Sequence, residues 1–279
     1  MEQAKQGHGV PIEQAMQDKM LAKNLSSIKY KLFIMSGKGG VGKSSVTVNL
    51  AAALAAKGFK VGVLDVDLHG PSVPRLLGAT GRVRSDGQKL LPVLCGENIS
   101  LISMDLFLDN TDQAVLWRGA MKTNAIRQFL TDVDWGALDY LLIDSPPGTG
   151  DEHMTVLEAI PDAMAVVVTT PQELALADVR KALDFLREMK SPILGIVENM
   201  GSFICPDCGK EYAIFKKGGG EKLAQAYNLP LLASIPLDPA TVEAADKGVP
   251  MVAVPHDSPA KTAFQQLADR IMFVTRPKA

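Results

Sequence analysis

The run Gly37-Lys38-Gly39-Gly40-Val41-Gly42-Lys43-Ser44 sets two lysines and a serine among four glycines. Gly37, Gly42, Lys43 and Ser44 meet the spacing Gly-x4-Gly-Lys-Ser, the signature of a loop that cradles phosphates. Glycines let backbone N–H groups converge on phosphate oxygens, and the start of a following helix adds the positive end of its dipole. In that arrangement Lys43 reaches the outer phosphates and the Ser44 hydroxyl is a ligand for Mg2+. The chemistry is the binding and hydrolysis of a nucleoside triphosphate. Lys38 is too near Lys43 in sequence to serve the same phosphates easily. A cation on the loop rim suits a neighbouring site, supplied in trans like an arginine finger; a solvated loop lysine is the plain alternative.

Three aspartates stand where strands end. Asp144 follows the apolar run Tyr140-Leu141-Leu142-Ile143 and precedes Ser145-Pro146-Pro147-Gly148-Thr149-Gly150, an acid followed by a switch-like loop. Its expected task is to hold water on Mg2+. Asp65 and Asp67 follow Val61-Gly62-Val63-Leu64. Side chains of an extended segment alternate, so both carboxylates share a face. Asp65 then approaches the metal shell, and Asp67 orients the attacking water. His69 and His153 lie just beyond these acids and either sense the terminal phosphate or face solvent.

The third chemical feature is Cys205-Pro206-Asp207-Cys208-Gly209. Two thiolates three positions apart grip one metal centre, and the glycine after them eases a tight turn. One pair supplies two of four ligands, and Cys95 alone does not complete the set. Two copies of the chain do, on a two-fold axis. Such a site holds a [4Fe–4S] cluster or a zinc ion, and spacing does not decide between them. A thioredoxin-like redox pair normally opens a helix after a strand, whereas these flanks read as loop.

The elements that position these groups emerge from the hydrophobic pattern. Tyr30–Met35 reads as a strand into the glycine loop, and Lys43–Lys57 as a helix out of it, stopped by Gly58. Further strands are expected at 61–64, 99–104, 140–143, 163–168, 193–197 and 231–235. Helices are expected at 120–130, 220–227 and from Ser258-Pro259 onward, with Phe264, Leu267 and Ile271 on one face. Another is expected after a capping box Thr170-Pro171-Gln172-Glu173. The alternation gives an α/β fold: a mostly parallel sheet with helices on both faces. Residues 1–28 read as a polar N-terminal arm, with Ile12, Met16 and Met20 at helical spacing. Residues 29–279 form one P-loop ATPase domain. The segments 68–98 and about 200–219 read as insertions at its working edge.

The 279 residues carry a formal net charge of −2 and only three cysteines. That balance implies no general electrostatic attraction to nucleic acid. No apolar run reaches the length of a membrane span. The polar N-terminus has no signal-peptide core, which points to the cytoplasm.

With these motifs in place, the chain over residues 28–275 resembles the Mrp/ApbC (Nbp-type) P-loop ATPases. These are iron–sulfur cluster carriers within the deviant Walker A group that includes MinD, ParA and the nitrogenase iron protein. The resemblance rests on the glycine loop, Asp65-Val66-Asp67-Leu68-His69-Gly70-Pro71-Ser72, Ile143-Asp144-Ser145-Pro146-Pro147-Gly148-Thr149, Val197-Glu198-Asn199-Met200 and the Cys205/Cys208 pair. It implies that Lys38 is the signature lysine reaching a partner's phosphates and that Ser45 contacts the α-phosphate. It implies that Asn199 recognises the adenine edge beside Ile235-Pro236-Leu237-Asp238. It implies a homodimer whose Cys205 and Cys208 bind a bridging [4Fe–4S] cluster, destined for apo iron–sulfur proteins and received from scaffold proteins. ATP binding would act on the dimer through Asp67 and Asp144, and with no strong general base hydrolysis would be slow.

Other readings stay open on sequence alone. A positioning ATPase of the MinD or ParA kind would carry no cluster. It calls for a basic membrane helix or basic DNA surface, which the cation-poor segment 260–274 does not offer. A reductase like the nitrogenase iron protein calls for widely spaced single cysteines. An ATPase with a structural zinc clip across the dimer fits the same spacing.

Overall fold

The computed structural model describes residues 12–108, 119–205, 208–216 and 218–276. The chain opens with helix α1 (Ile12–Ser26), strand β1 (Ile28–Ser36), α2 (Lys43–Ala56) and β2 (Val61–Asp65). A short α3 (Val73–Leu76) and small strands β3 (Arg84–Ser85), β4 (Leu90–Leu91) and β5 (Val93–Leu94) lead to β6 (Ile99–Ile102). Then come α4 (Gly119–Thr131), β7 (Leu138–Asp144), α5 (Asp151–Ala159), β8 (Met164–Thr169) and α6 (Glu173–Glu188). The last part comprises β9 (Ile193–Ile204), β10 (Glu211–Tyr212), α7 (Gly219–Tyr227), β11 (Leu231–Leu237), α8 (Pro239–Asp246) and α9 (Pro259–Thr275).

The main sheet runs β10-β9-β8-β1-β7-β2-β6-β5, with β11 also paired to β9. All its pairings are parallel except β5 with β6 and β9 with β10. The expected α/β architecture is therefore what forms. β1 shows why: Leu32 and Ile34 enter one apolar cluster with α2 and α9, while Phe33 and Met35 enter the other with α4, α5 and α6. A strand covered on both faces must be apolar on both, which is why these strands read as continuous runs. Because the central strands are parallel, the carboxyl ends of β1, β2, β7 and β8 open on one edge. Ligands of such sheets bind outside that edge.

Several expectations need correction. Met16 and Met20 do not lie on the buried face of α1. Both are exposed, whereas Leu21 and Leu25 join the core cluster with Ile126 and Phe129 of α4. Asn24 fixes this docking: its Nδ2 lies 2.7–3.1 Å from the carbonyls of Leu130, Thr131 and Val133, groups that the end of α4 leaves without partners. No capping box forms at Thr170. Gln172 is still extended (φ −65°, ψ 132°) and is itself the cap position of α6, without a side-chain cap bond; Thr170 is buried ahead of it. β9 is much longer than 193–197. Its pairing with β11 and β10 carries the backbone ladder to Ile204 through residues with little strand character of their own.

Candidate functional site

The glycine loop joins β1 to α2 on the carboxyl edge. Gly40 and Gly42 have φ of 79° and 80°, the left-handed region that glycine reaches without steric cost. Gly42 caps α2 in that conformation. A Cβ there would sit 2.2 Å from Asn199 Nδ2, and one on Gly37 would sit 2.4 Å from the backbone of Asp178 in α6. These two positions are thus closed to side chains by contact. Ser36, Lys38, Gly39, Gly40, Val41, Gly42, Lys43, Ser44 and Ser45 line a 320 Å3 cavity with Asp67, Ser72 and Pro147 across it. The loop residues expected to hold phosphates are together.

Behind the cavity lies an ionic knot. Lys43 Nζ is 2.7 Å from Asp144 Oδ2, with both side chains almost fully buried. Ser44 Oγ donates to the same oxygen at 2.6 Å, and Thr47 Oγ1 lies 2.6 Å from Oδ1. Asp65 is the register partner of Asp144 across β2 and β7, and it accepts from Ser103 Oγ at 3.3 Å. Burial, and then the Asp144 carboxylate beside it, push the Asp65 carboxyl well above the usual range, with Lys43 opposing. Two buried acids around one lysine form a hard-oxygen, electron-rich pocket behind Ser44. That donor set fits Mg2+, which prefers oxygen ligands with water kept between.

Asp67 is placed differently from the expectation. β2 stops at Asp65, and Asp67 lies in a turn rather than one step further on an extended face. Its N–H donates to Asp65 Oδ1 at 3.1 Å, and Gly70 N–H donates to Asp67 Oδ1 at 3.3 Å. The turn aims Asp67 at the phosphate cavity while Asp65 stays buried beneath. Lys38 is half-buried on the rim, and among the described residues its side chain has no hydrogen-bond or ion-pair partner.

A second cavity of 230 Å3 adjoins the first through Gly42 and Ser45. Asn199, Met200, Ile235, Pro236, Leu237 and Asp238 line it. Its mostly apolar wall suits a planar base. Asn199 Nδ2 donates to the Val41 carbonyl at 2.9 Å, which ties this cavity to the phosphate loop. Asp238 also caps α8, accepting from Ala240 N–H at 2.9 Å.

His153 neither faces solvent nor reaches the phosphate cavity. It is buried between Phe33 and Phe185. Gly150 N–H donates to Nδ1 at 3.1 Å, so the ring proton is on Nε2, which donates to the Pro146 carbonyl at 3.0 Å. The neutral ring therefore braces the loop 146–150, and burial pushes its pKa down to about 4. His69 is exposed.

The cysteines sit at the tip of a hairpin made by β9 and β10, so their flanks are strand rather than the loop expected. Cys205 N–H donates to the Lys210 carbonyl at 3.0 Å, and Gly209 N–H to the Cys205 carbonyl at 2.9 Å. Gly209 is left-handed, φ 69°. Cys208 is exposed and Cys205 half-buried. The tip residues 206 and 207 lie outside the described residues. Among the described residues no three His, Cys, Asp or Glu side chains gather closely enough to hold a metal. Cys95 is remote from this hairpin in the fold, and burial pushes its thiol up to about 11.

Sequence reasoning missed Thr47, Ser103 and Glu198. Thr47 had a signal: it lies one turn beyond Lys43 and Ser44 on α2, the spacing at which helical side chains share a face. Ser103 had none, and Glu198, although it stands in the Val197-Glu198-Asn199-Met200 motif, had none that pointed to its partners Gly220 and Ser234.

A glycine cradle at the end of β1, a buried lysine–aspartate pair joining the start of α2 to the end of β7, and a base-sized cavity on the carboxyl edge define a P-loop nucleotide-binding protein. The model of the NUBPL iron-transfer P-loop NTPase family matches residues 27–272. The chain belongs to that family. It is 48% identical over 260 residues to an iron-sulfur cluster carrier protein of Methanocaldococcus jannaschii, covering 92% of this chain and 89% of that one. It is 46% identical over 258 residues to the human cytosolic Fe-S cluster assembly factor NUBP2, covering 90% and 95%. Among solved structures, a nucleotide-binding protein in complex with ADP from Archaeoglobus fulgidus superposes with a TM-score of 0.74 at 41% identity, covering 83% of this chain and 91% of that one. No helix among the described residues is long and apolar enough to cross a membrane.

Proposed function

We propose that this chain is an ATP-hydrolysing carrier of [4Fe–4S] clusters that works as a homodimer in the cytoplasm, receiving clusters from scaffold proteins and passing them to apo-proteins. The observation that carries the reading is the presence, on one chain of this family, of a complete phosphate cradle and a solvent-edge thiol pair on a hairpin. Thiols at the solvent edge, Cys208 exposed and Cys205 half-buried, suit a cargo that must leave. A pair supplies half of a four-thiolate set, and a second copy supplies the rest.

For the nucleotide, Ser44 Oγ with Asp65 and Asp144 behind it would hold Mg2+, whose charge offsets that of the phosphates. Lys43 exchanges Asp144 for the outer phosphate oxygens. Asp67, aimed into the cavity, orients water for attack on the γ-phosphorus as the bond to the bridging oxygen breaks. Lys38, without a partner in its own chain among the described residues, reaches the phosphates of the second copy. No strong general base faces the cavity among the described residues, and His153 is committed to its loop. Hydrolysis is therefore slow and rests on positioning and charge. The relatives at 44–48% identity bear carrier or assembly-factor names, which supports cluster transport over a positioning role without a cluster.

The test is anaerobic reconstitution of wild type and Cys205→Ala with iron and sulfide, followed by metal analysis and absorption spectroscopy. Iron and acid-labile sulfide present in wild type and lost in the variant are expected. Zinc alone in both proteins would overturn the reading.

A further inference from the structure

The hairpin that carries the cysteines and the cavity that suits the base are built on the same strand. β9 passes from Glu198 and Asn199, both buried, through Met200 to the hairpin tip at Cys205. Asn199 donates to the phosphate loop at Val41. Met200 lines the base cavity, and its Cε is 3.8 Å from where a Cβ on Gly42 would lie.

The backbone is irregular at this point. Met200 has φ 57°, a region that a non-glycine residue occupies at a cost and that clusters at functional sites. Of the other three non-glycine residues that share the sign, Lys190 and Asn228 lie at helix ends, where the conformation is ordinary, and Lys216 lies in the connection between β10 and α7. Met200 lies inside a strand. The pairing with β11 slips at the same place: Ile235 pairs with Asn199, and the next partner of Leu237 is Phe203. Two steps along β11 thus match four along β9, leaving extra residues between the base cavity and the cysteines. Bulges of this kind bend a strand and re-aim the side chains beyond them.

Glu198 anchors the near side of this bulge. Its Oε2 accepts from Gly220 N–H at 2.6 Å, and its Oε1 accepts from Ser234 Oγ at 3.0 Å. Gly220 stands in the first turn of α7, where the chain returns from the cysteine hairpin. A Cβ on Gly220 would sit 2.9 Å from Glu198 and one on Gly201 would sit 3.1 Å from it. Both ends of the cysteine segment are therefore packed on one buried carboxylate, next to the residue that touches the nucleotide loop.

We propose that Glu198 and the Met200 bulge form the mechanical link by which an adenine nucleotide repositions the cysteine hairpin. This rests on the carrier reading only for what the cysteines hold. A base entering the cavity presses on Asn199 and Met200. The strand is held at Glu198, so the displacement passes forward through the bulge to Phe203, Ile204 and Cys205, where pairing with β10 is only two residues long. Glu198 is a positioning residue here, and it touches neither nucleotide nor cargo.

The experiment uses full-length, cluster-free, reduced protein and needs no iron. The rate at which iodoacetamide alkylates Cys205 and Cys208 is read by peptide mass spectrometry, with and without saturating Mg2+ and a non-hydrolysable ATP analogue. In wild type the nucleotide should change that rate on the order of five-fold or more, the lower range of allosteric coupling. In Glu198→Gln and in Ser234→Ala the change should fall below about two-fold, with analogue affinity and the nucleotide-free rate held near wild type. Ser234→Ala removes one anchor bond and keeps the buried acid, so it serves if Glu198→Gln does not fold. A wild-type rate indifferent to nucleotide would overturn the link. So would variants that keep the full change, because shielding by dimerisation alone would survive them. Loss of iron binding in Cys205→Ala is a separate measurement, so the carrier reading and this link fail independently.

Discussion

The buried histidine gives this fold a pH signature that can be worked out in advance. His153 is neutral in the folded chain, with burial holding its pKa near 4 against an ordinary 6.5. The unfolded chain binds a proton there at higher pH than the folded chain does. Its contribution to stability is therefore complete above about pH 6.5. It drains away as pH falls through the interval between 6.5 and about 4, and stops changing below that. At about 1.4 kcal/mol per tenfold in proton affinity, the full gap is worth about 3 kcal/mol. Between pH 7.5 and 5 the loss is about 2 kcal/mol. Asp65, with its carboxyl pushed upward, acts in the opposite sense over its own range, so a difference measurement is required. The assay is urea unfolding of wild type and His153→Gln at pH 7.5, 6 and 5 in the absence of nucleotide. The wild type should lose about 2 kcal/mol more than the variant across that range. Parallel pH profiles would refute the assignment of His153 as a buried neutral brace.

The same geometry makes three further predictions. Lys43→Ala removes the counter-charge of buried Asp144; it should abolish ATP binding in calorimetry and lower the stability of the free protein by about 3 kcal/mol, and unchanged turnover would defeat the assignment. Lys38→Ala should leave ATP affinity near wild type and slow hydrolysis on the order of 100-fold, below the scale of a full arginine finger; a steady-state assay at the wild-type rate would count against the trans role. Gly42→Ala forces a Cβ into Asn199 Nδ2 and a side chain into φ 80°; about 1–3 kcal/mol of stability should be lost, and thermal unfolding at the wild-type midpoint would show that the loop is looser than described.

The sequence carries the nucleotide site well because its chemistry is local. A phosphate loop is a short consecutive run, and Asp65 and Asp144 announce themselves as the first polar residues after apolar strands. The parallel sheet is legible for the same reason: strands covered on both faces have no freedom to be polar. The features that escape a sequence reading are set by partners distant along the chain. Thr47 has a helical spacing to betray it, but Glu198 and Asn24 act by reaching carbonyls or amides that only the fold brings near. Asp67 reaches the expected cavity by a different geometry, since period-two alternation ends with the strand. The capping-box pattern at Thr170 loses to the extended backbone of Gln172. The flanks of Cys205 and Cys208 look like loop because glycine, serine and proline surround them. The pairing partners β10 and β11 impose the hairpin instead.

Native mass spectrometry of the anaerobically reconstituted protein decides whether two chains pool their thiols. The proposal calls for a dimer carrying four irons and four sulfides in total, reverting to metal-free chains when Cys205 and Cys208 are both alanine. A monomer that holds a complete cluster by itself, or a dimer that holds only zinc, would contradict it.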